Sequence, residues 1–521
     1  MLNLNKTKMT NKYFKIYIIG VCFSALLMAS CTDLEFQPEG VIEQQGAGPA
    51  NENLGAAYAS LSEFANERTI FGLSGHTSDE MLGPTRGGDW FDGGVFQQMH
   101  LHTWANDNTF IITAWNELNT GIFRAGAAIA GDGATPQQIA EAKVLRAYFM
   151  FHVVDFWGLA VFREPSAGGD VFPEVLSSSE AVSIMIEDLE SALPDLPDGG
   201  SPNIVNASAA NALLSKVYLN KAVFESEDRA SGNFSFSSAD MDKVIEYADA
   251  VTAAGYSISE GVVGYFETFA ESNDQSTEMI FSIPKERLVD FKRRFFNSTH
   301  YNHDHGGWNG FATLSDFYDS FEDSDIRRGG AYDSPSNPFT STTNTNAGFL
   351  IGQQLGADGS ELTTRNGSPL VYSREVDVAV NTEEKGIRVL KYIPDYSGGV
   401  RNVDAPNNSY VLLRYGDVLM NKAEALFRKG DESGALDVIN QLRSDRSSAM
   451  SSLGSIDTDV MLAERGRELY WEGWRRNDLV RFGKFLDSWQ LKEASPANRI
   501  VFPIPPSAVL SNPNLDQNPG Y

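Results

Sequence analysis

The chain has 521 residues, 42% of them hydrophobic and 11% aromatic, enough to bury a large core. Its 69 Asp plus Glu outnumber 41 Lys plus Arg, giving a formal charge of −28. A surface of that sign repels polyanions, so nucleic acid and acidic phospholipid, which are bound mainly through Lys and Arg, are poor partners.

The first predicted element is a leader. Lys6, Lys8, Lys12 and Lys15 precede an apolar run from Ile16 to Met28, followed by Ala29, Ser30 and Cys31. The run is shorter than the roughly 20 residues that cross a bilayer and has the order of a secretory signal peptide. An ordinary cleavage site needs no cysteine, but the quartet "MASC" resembles the lipobox of bacterial lipoproteins, in which cleavage leaves a lipid-bearing amino-terminal cysteine. Cys22, the other of the two cysteines, would leave with residues 1–30, so that Cys31 alone persists and no internal disulfide forms. Several acyl chains on Cys31 would hold the body firmly on a membrane. Residues 31–521 carry no linker rich in Pro/Ser or charge and read as one large domain.

Further along, "SDEMLGPTRGGDWFDGG" (78–94) reads as a loop. In "IAEAKVLRAYFMFHVVDFWG", Ala142, Leu145, Phe149, Val153 and Phe156 recur at spacings of three and four, the apolar stripe of a helix. Helical runs follow at 179–193, 206–224, 240–255, 415–430, 432–446 and 460–483. Ser178 with Ser179, Ser238 with Asp240, and Asp431 mark starts; Gly255 and Gly430 mark stops. Residues 423–442 have the small–large pattern of a tetratricopeptide hairpin, and "NALLSKVYLNKAVF" reads as a second copy. From about 258 to 410 the helical period disappears. Gly, Asn, Ser, Thr and aromatic residues take over, and the aromatic content predicts ordered loops.

Catalytic signatures are missing: the sequence has no HExxH, GxSxG, P-loop, GxGxxG or CxxC, which argues against an enzyme. His300, His303, Asp304 and His305 cluster in "HYNHDHGG", and Asp319, Glu322, Asp323 and Asp325 in "YDSFEDSDIRR". Hydrogen-bonded imidazoles and a salt-bridged helix end account for these better than zinc or calcium, so no metal is expected. Glu464 with Arg467, and Glu472 with Arg475 and Arg476, fall at helix spacings and read as structural ion pairs. Trp157, Trp471 and Trp474 read as core.

Taken together, the lipobox, "AEAKVLRAYFMFHVVDFWGLAVF", "LLRYGDVLMNKAEAL", "ERGRELYWEGWRRNDLVRFGKF" and the tail "FPIPPSAVLSNPNLDQNPGY" resemble the SusD/RagB family of Bacteroidetes outer-membrane lipoproteins. The resemblance implies a mainly α fold: four tetratricopeptide-like helical hairpins in one large domain with long irregular ligand-binding loops. It further implies a lipid-anchored, non-catalytic protein at the cell surface that needs no cofactor. Such a protein captures a glycan, or in some members a peptide, for a SusC-like TonB-dependent transporter. A secreted glycoside hydrolase and a tetratricopeptide scaffold are the rival readings. Ligand specificity does not carry over from the family.

Sugar rings present apolar C–H faces and a rim of hydroxyls, which aromatic side chains and Asn, Asp, Arg or Gln complement. Trp90 and Trp308, each flanked by glycines in a loop, are therefore the expected platforms. Tyr301, Asn309, Asp89 and Arg86 are the expected polar contacts. A second reading stands beside this one: the same rings could simply pin the loops to the helical body.

Overall fold

The computed structural model describes residues 48–164, 171–288, 297–332, 346–356, 358–395 and 407–521. The predicted leader and Cys31 lie outside the described residues. Among the described residues, ten helices, α1 to α10, precede the last hairpin: α1 (Ala50–Ser60), α2 (Ile70–His76), α3 (Val95–His100), α4 (Thr109–Ile129), α5 (Pro136–Trp157), α6 (Ser178–Ala192), α7 (Ala207–Phe224), α8 (Ser238–Ala253), α9 (Gly261–Glu267) and α10 (Ser315–Asp319). Then come α11 (Tyr415–Arg428), α12 (Glu432–Arg446), α13 (Thr458–Leu469) and α14 (Arg475–Arg481). Four pairs make the body: α1 with α4, α5 with α6, α7 with α8, and α11 with α12, each pair packed on the next. This is the row of helical hairpins expected from the sequence.

Local chemistry explains the boundaries. Thr135 and Gln138 form a reciprocal capping box ahead of Pro136, and α5 ends at Gly158 in the left-handed region (φ 76°). Ser177, Ser237 and Asp431 cap α6, α8 and α12, the first two one residue earlier than the sequence pattern indicated. The stripe from Ala142 to Phe156 is fully buried, and α5 is buried on its other faces too because α4, α6 and α7 surround it. Gly121 lets α4 approach closely: a Cβ there would sit 2.6 Å from the Phe149 ring.

Within the predicted loop region the described residues form short strands. At its base, the strand Met279–Ile283 pairs antiparallel with the strand Tyr410–Arg414, both wholly buried. Between them, Gly329–Ala331, Asn346–Leu350 and Arg388–Leu390 form a three-stranded antiparallel sheet. Isolated bridges Leu82↔Ala312 and Thr313↔Ile387 stitch the 78–94 loop to this layer.

One expectation is corrected at 460–483. The run is two helices, because Trp471 (φ 57°) and Gly473 (φ 82°) turn the chain between α13 and α14. Glu472 therefore does not meet Arg475 or Arg476 at helix spacing. It pairs with Arg414 (2.7 Å) and Lys391 (2.7 Å), while Arg475 pairs with Asp79 and Arg476 with Asp155. Glu464 does pair with Arg467 (2.7 Å) as expected. Trp157, Trp471 and Trp474 are core residues.

These pairs belong to a buried ionic layer centred on Glu468. Its carboxylate accepts from Arg414 (2.8 Å), Arg446 (2.7 Å) and Arg327 (3.1 Å), and all four side chains are buried. Burial alone would raise its pKa, but Arg446, Arg414 and Arg327 outweigh that and hold it well below the usual range. Glu464, facing Arg327, Arg467 and Arg443, is held at about 2 against the same opposing effect of burial. Glu80 is the opposite case: burial pushes its carboxyl up to about 8.

All seven histidines are buried, and burial lowers the pKa of each, to about 3 for His76, His152 and His305 and about 4 for His100. Unfolded imidazoles titrate near 6.5. The unfolded chain thus binds more protons than the folded one below that pH, and stability present above 6.5 is lost as pH falls, by up to about 1.4 kcal/mol per pH unit for each histidine. Glu464 and Glu468 add to the loss below about 4.5, whereas Glu80 contributes in the reverse direction. Urea-unfolding midpoints are expected to fall steadily between pH 7 and 5. A midpoint constant over that range would contradict the account.

Candidate ligand-binding site

Two loops far apart in sequence meet over the apolar core. Backbone bonds between Leu82 and Ala312 (2.8 and 2.9 Å) set them in register. Arg86 and Asp89 exchange amide hydrogen bonds at 2.9 Å across Gly87 and Gly88, so Asp89 and Trp90 emerge from a tight turn. The Trp90 indole N–H donates to the Trp308 carbonyl (2.9 Å). Its ring packs edgewise on Phe311 (5.0 Å) and Phe96 (5.6 Å), which continue into the core. Gly310 makes this seat possible, since a Cβ there would lie 2.6 Å from the indole. Trp90 has φ 63°, a conformation disfavoured for a bulky side chain and kept here by those contacts.

Above this seat, the Tyr301 hydroxyl donates to Asp89 Oδ2 (3.0 Å), and the Arg365 guanidinium lies over the Tyr301 ring at 4.6 Å. Arg365 also reaches Asp89 (3.3 Å) and pairs with Glu383, whose other oxygen meets His300 Nε2 (3.0 Å). Partial burial, then the Asp89 hydrogen bond, push the Tyr301 phenol up to about 12. Glu383 is held at about 2: partial burial raises it, and the Arg365 amide and guanidinium prevail.

Of the residues named from sequence, Asp89 and Tyr301 meet beside Trp90 and all three are partly exposed, whereas Trp308 joins through its backbone carbonyl and its indole nitrogen is buried. Arg86 and Asn309 do not reach this face; they are 4% and 1% exposed. Arg86 donates to the carbonyls of Gly310, Thr382 and Lys385, and Asn309 Oδ1 accepts from Arg388 (3.1 Å). Their place is beneath the face, where they tie the loops together. Arg365, Glu383 and exposed Phe91 complete the surroundings without any sequence signature, because their relation to the face is set by tertiary packing.

The imidazoles are committed elsewhere: His300 to Glu383, His303 to the Tyr372 hydroxyl and His305 to the Thr299 hydroxyl. In the acidic run, Asp319 pairs with Arg374, Glu322 with Arg443, Asp323 with Arg328 and Asp325 with Arg327. Among the described residues no group of three or more His, Cys, Asp or Glu is arranged to hold a metal ion.

Fold and site together define a helical-hairpin protein carrying a loop-built aromatic face. The SusD family model matches residues 270–497. The starch-binding protein SusD of Bacteroides thetaiotaomicron is 26% identical over 431 residues, covering 75% of this chain and 74% of that protein. A laminarin-binding SusD-like protein has the same fold (TM-score 0.66, 20% identity, 91% of this chain and 99% of that one). So does surface glycan-binding protein A of B. thetaiotaomicron in complex with laminarihexaose (TM-score 0.65, 18% identity, 90% and 98%). The chain is thus similar to the SusD family over residues 270–497 and shares the fold of SusD-like proteins.

Because Trp90 packs on the core but keeps part of its surface exposed, Trp90→Ala is expected to cost about 2 to 3 kcal/mol of stability, below the range for a fully buried tryptophan. Chemical denaturation of the variant measures this. A change under about 0.5 kcal/mol would show that the ring does not support the loops.

Proposed function

We propose that this protein is a non-catalytic cell-surface lipoprotein that captures an oligosaccharide or polysaccharide on the face formed by Trp90, Tyr301 and Trp308. It then delivers the glycan to a SusC-like TonB-dependent outer-membrane transporter. The observation that supports the reading is the locking of two distant loops through Trp90 Nε1 and the Trp308 carbonyl, with Tyr301 set beside Asp89 and Arg365. Such a face offers flat apolar surface to C–H groups and fixed acceptors and donors to hydroxyls. The names of the relatives, one binding starch and one laminarin, support glycan as the ligand class.

Attachment rests on Cys31, outside the described residues. No helix among the described residues is long and apolar enough to cross a membrane, so covalent lipid supplies the anchor in this reading.

Calorimetric titration with starch and laminarin oligosaccharides is expected to give binding that is insensitive to salt and EDTA. Trp308→Ala should weaken it about 5- to 100-fold, the range of a stacking hot spot, with the melting temperature nearly unchanged. Unaltered affinity would place the glycan elsewhere, and turnover of the oligosaccharide would favour the hydrolase reading.

Cys31→Ala is expected to release the protein from membranes in a folded state. Incorporation of labelled palmitate into that variant would contradict the anchor. Gentle solubilisation of native membranes should co-purify a β-barrel partner of transporter size; recovery of the lipoprotein alone, with other outer-membrane complexes intact, would remove support for delivery.

A further inference from the structure

Under the aromatic face lies a cluster of buried donors that glycan capture does not use. Arg86 and Arg388 are both buried, and neither forms an ion pair with a described residue. Arg86 donates to the carbonyls of Gly310 (3.2 Å), Thr382 (2.9 Å) and Lys385 (2.7 Å). Arg388 donates to the carbonyls of Lys385 (2.7 Å), Gly386 (2.9 Å) and Glu383 (2.8 Å) and to Asn309 Oδ1 (3.1 Å). The two guanidiniums therefore converge on one acceptor, the Lys385 carbonyl, as like charges in the interior.

The surrounding acids do not neutralise them. The Glu383 carboxylate is taken by Arg365 and His300, and Glu384 favours both charges only from beyond ion-pair distance. The Tyr372 ring, 4.8 Å from the Arg388 guanidinium, gives partial compensation. Burial, and for Arg86 the neighbouring Arg388, lower both pKa values, Arg388 to about 10. Two further facts point to an acceptor. Arg86 Nη2 and Asn309 Nδ2 are buried donors without a partner. Nη2 shares the guanidinium edge with Nε, which faces Gly310, the residue next to Asn309. A buried unpaired donor costs about 1 to 3 kcal/mol in general and a buried unpaired charge more, so native proteins supply partners.

We propose that Arg86, Arg388 and Asn309 bind one compact inorganic anion, of chloride size, beneath the ligand face. The charge is that of the two guanidiniums, and the free donors belong to Arg86 and Asn309. Two free donors suit a monatomic anion better than the many-oxygen rim of a sulfated or uronic sugar. Because Arg86 comes from one loop and Asn309 from the other, the anion would tie the two loops from below. This inference does not depend on what the aromatic face binds.

Bromide is the probe. Crystals of the protein soaked in sodium bromide are expected to show an anomalous peak within hydrogen-bonding distance of Arg86 Nη2 and Asn309 Nδ2. The melting temperature should be higher in sodium chloride than in sodium gluconate at equal ionic strength, by about 2 °C. Asn309→Asp is nearly isosteric and supplies the negative charge from the chain itself; it should fold, lose the chloride response and show no bromide at this position. A bromide-soaked wild-type crystal with no peak there, equal melting in the two salts, or a chloride response retained in Asn309→Asp would each overturn the proposal. Should Asn309→Asp fail to fold, the wild-type bromide map alone decides.

Discussion

Glu468 is a carboxylate fully enclosed by protein, and three arginines from three parts of the chain close on it. Arg414 ends the basal strand Tyr410–Arg414, Arg446 ends α12, and Arg327 lies in the turn just before the sheet of the loop region. The Glu468 backbone carbonyl accepts from Arg414 (2.6 Å) and from the Tyr265 hydroxyl (2.8 Å). Removing one partner of such a buried set strands the others without compensation, at about 3 to 5 kcal/mol, although an apolar replacement of the whole set need not be less stable. What the ionic layer supplies is geometry: every member has one arrangement in which all charges are met.

That geometry is passed to the site. Lys391, which immediately follows the strand Arg388–Leu390, is fixed by Glu472, the Tyr470 carbonyl and the Tyr265 hydroxyl. The same strand carries Arg388, whose contacts with Asn309 and the 383–386 carbonyls seat the loop of Trp308. Burial pushes Lys391 down to about 8, with Glu472 opposing, as expected for a cation used as an interior strut. Positive φ values at Trp90, Asn309 and Trp471 show where this arrangement overrides local preference, and all three lie at the face or its support.

The helical body was legible because its information is local. The stripe of α5, the cap at Asp431, and the stops at Gly255 and Gly430 are encoded within a few residues. The break at Trp471 was not legible, since helix spacing continues through it. It is imposed by distant groups: the Trp471 indole bonds the Glu80 carbonyl (3.0 Å), and Glu472 turns to Arg414. At the site, aromatic and glycine content marked both loops, and Tyr301 and Asp89 do meet. The inward turn of Arg86 and Asn309 was invisible because their partners are mostly backbone carbonyls, and no residue type advertises a carbonyl. Arg365 was invisible because it meets Tyr301 only through the tertiary fold.

The central claim is that buried charge, and not apolar contact alone, holds the loops of Trp90 and Trp308 on the helical body. Hydrogen exchange of Glu468→Gln against wild type, read by mass spectrometry, tests it most directly. The account predicts that peptides covering residues 82–92 and 299–311 lose protection while α7 and α8, which do not contact Glu468, keep theirs. Unchanged exchange in the two loops, or an equal loss throughout the chain, would contradict it.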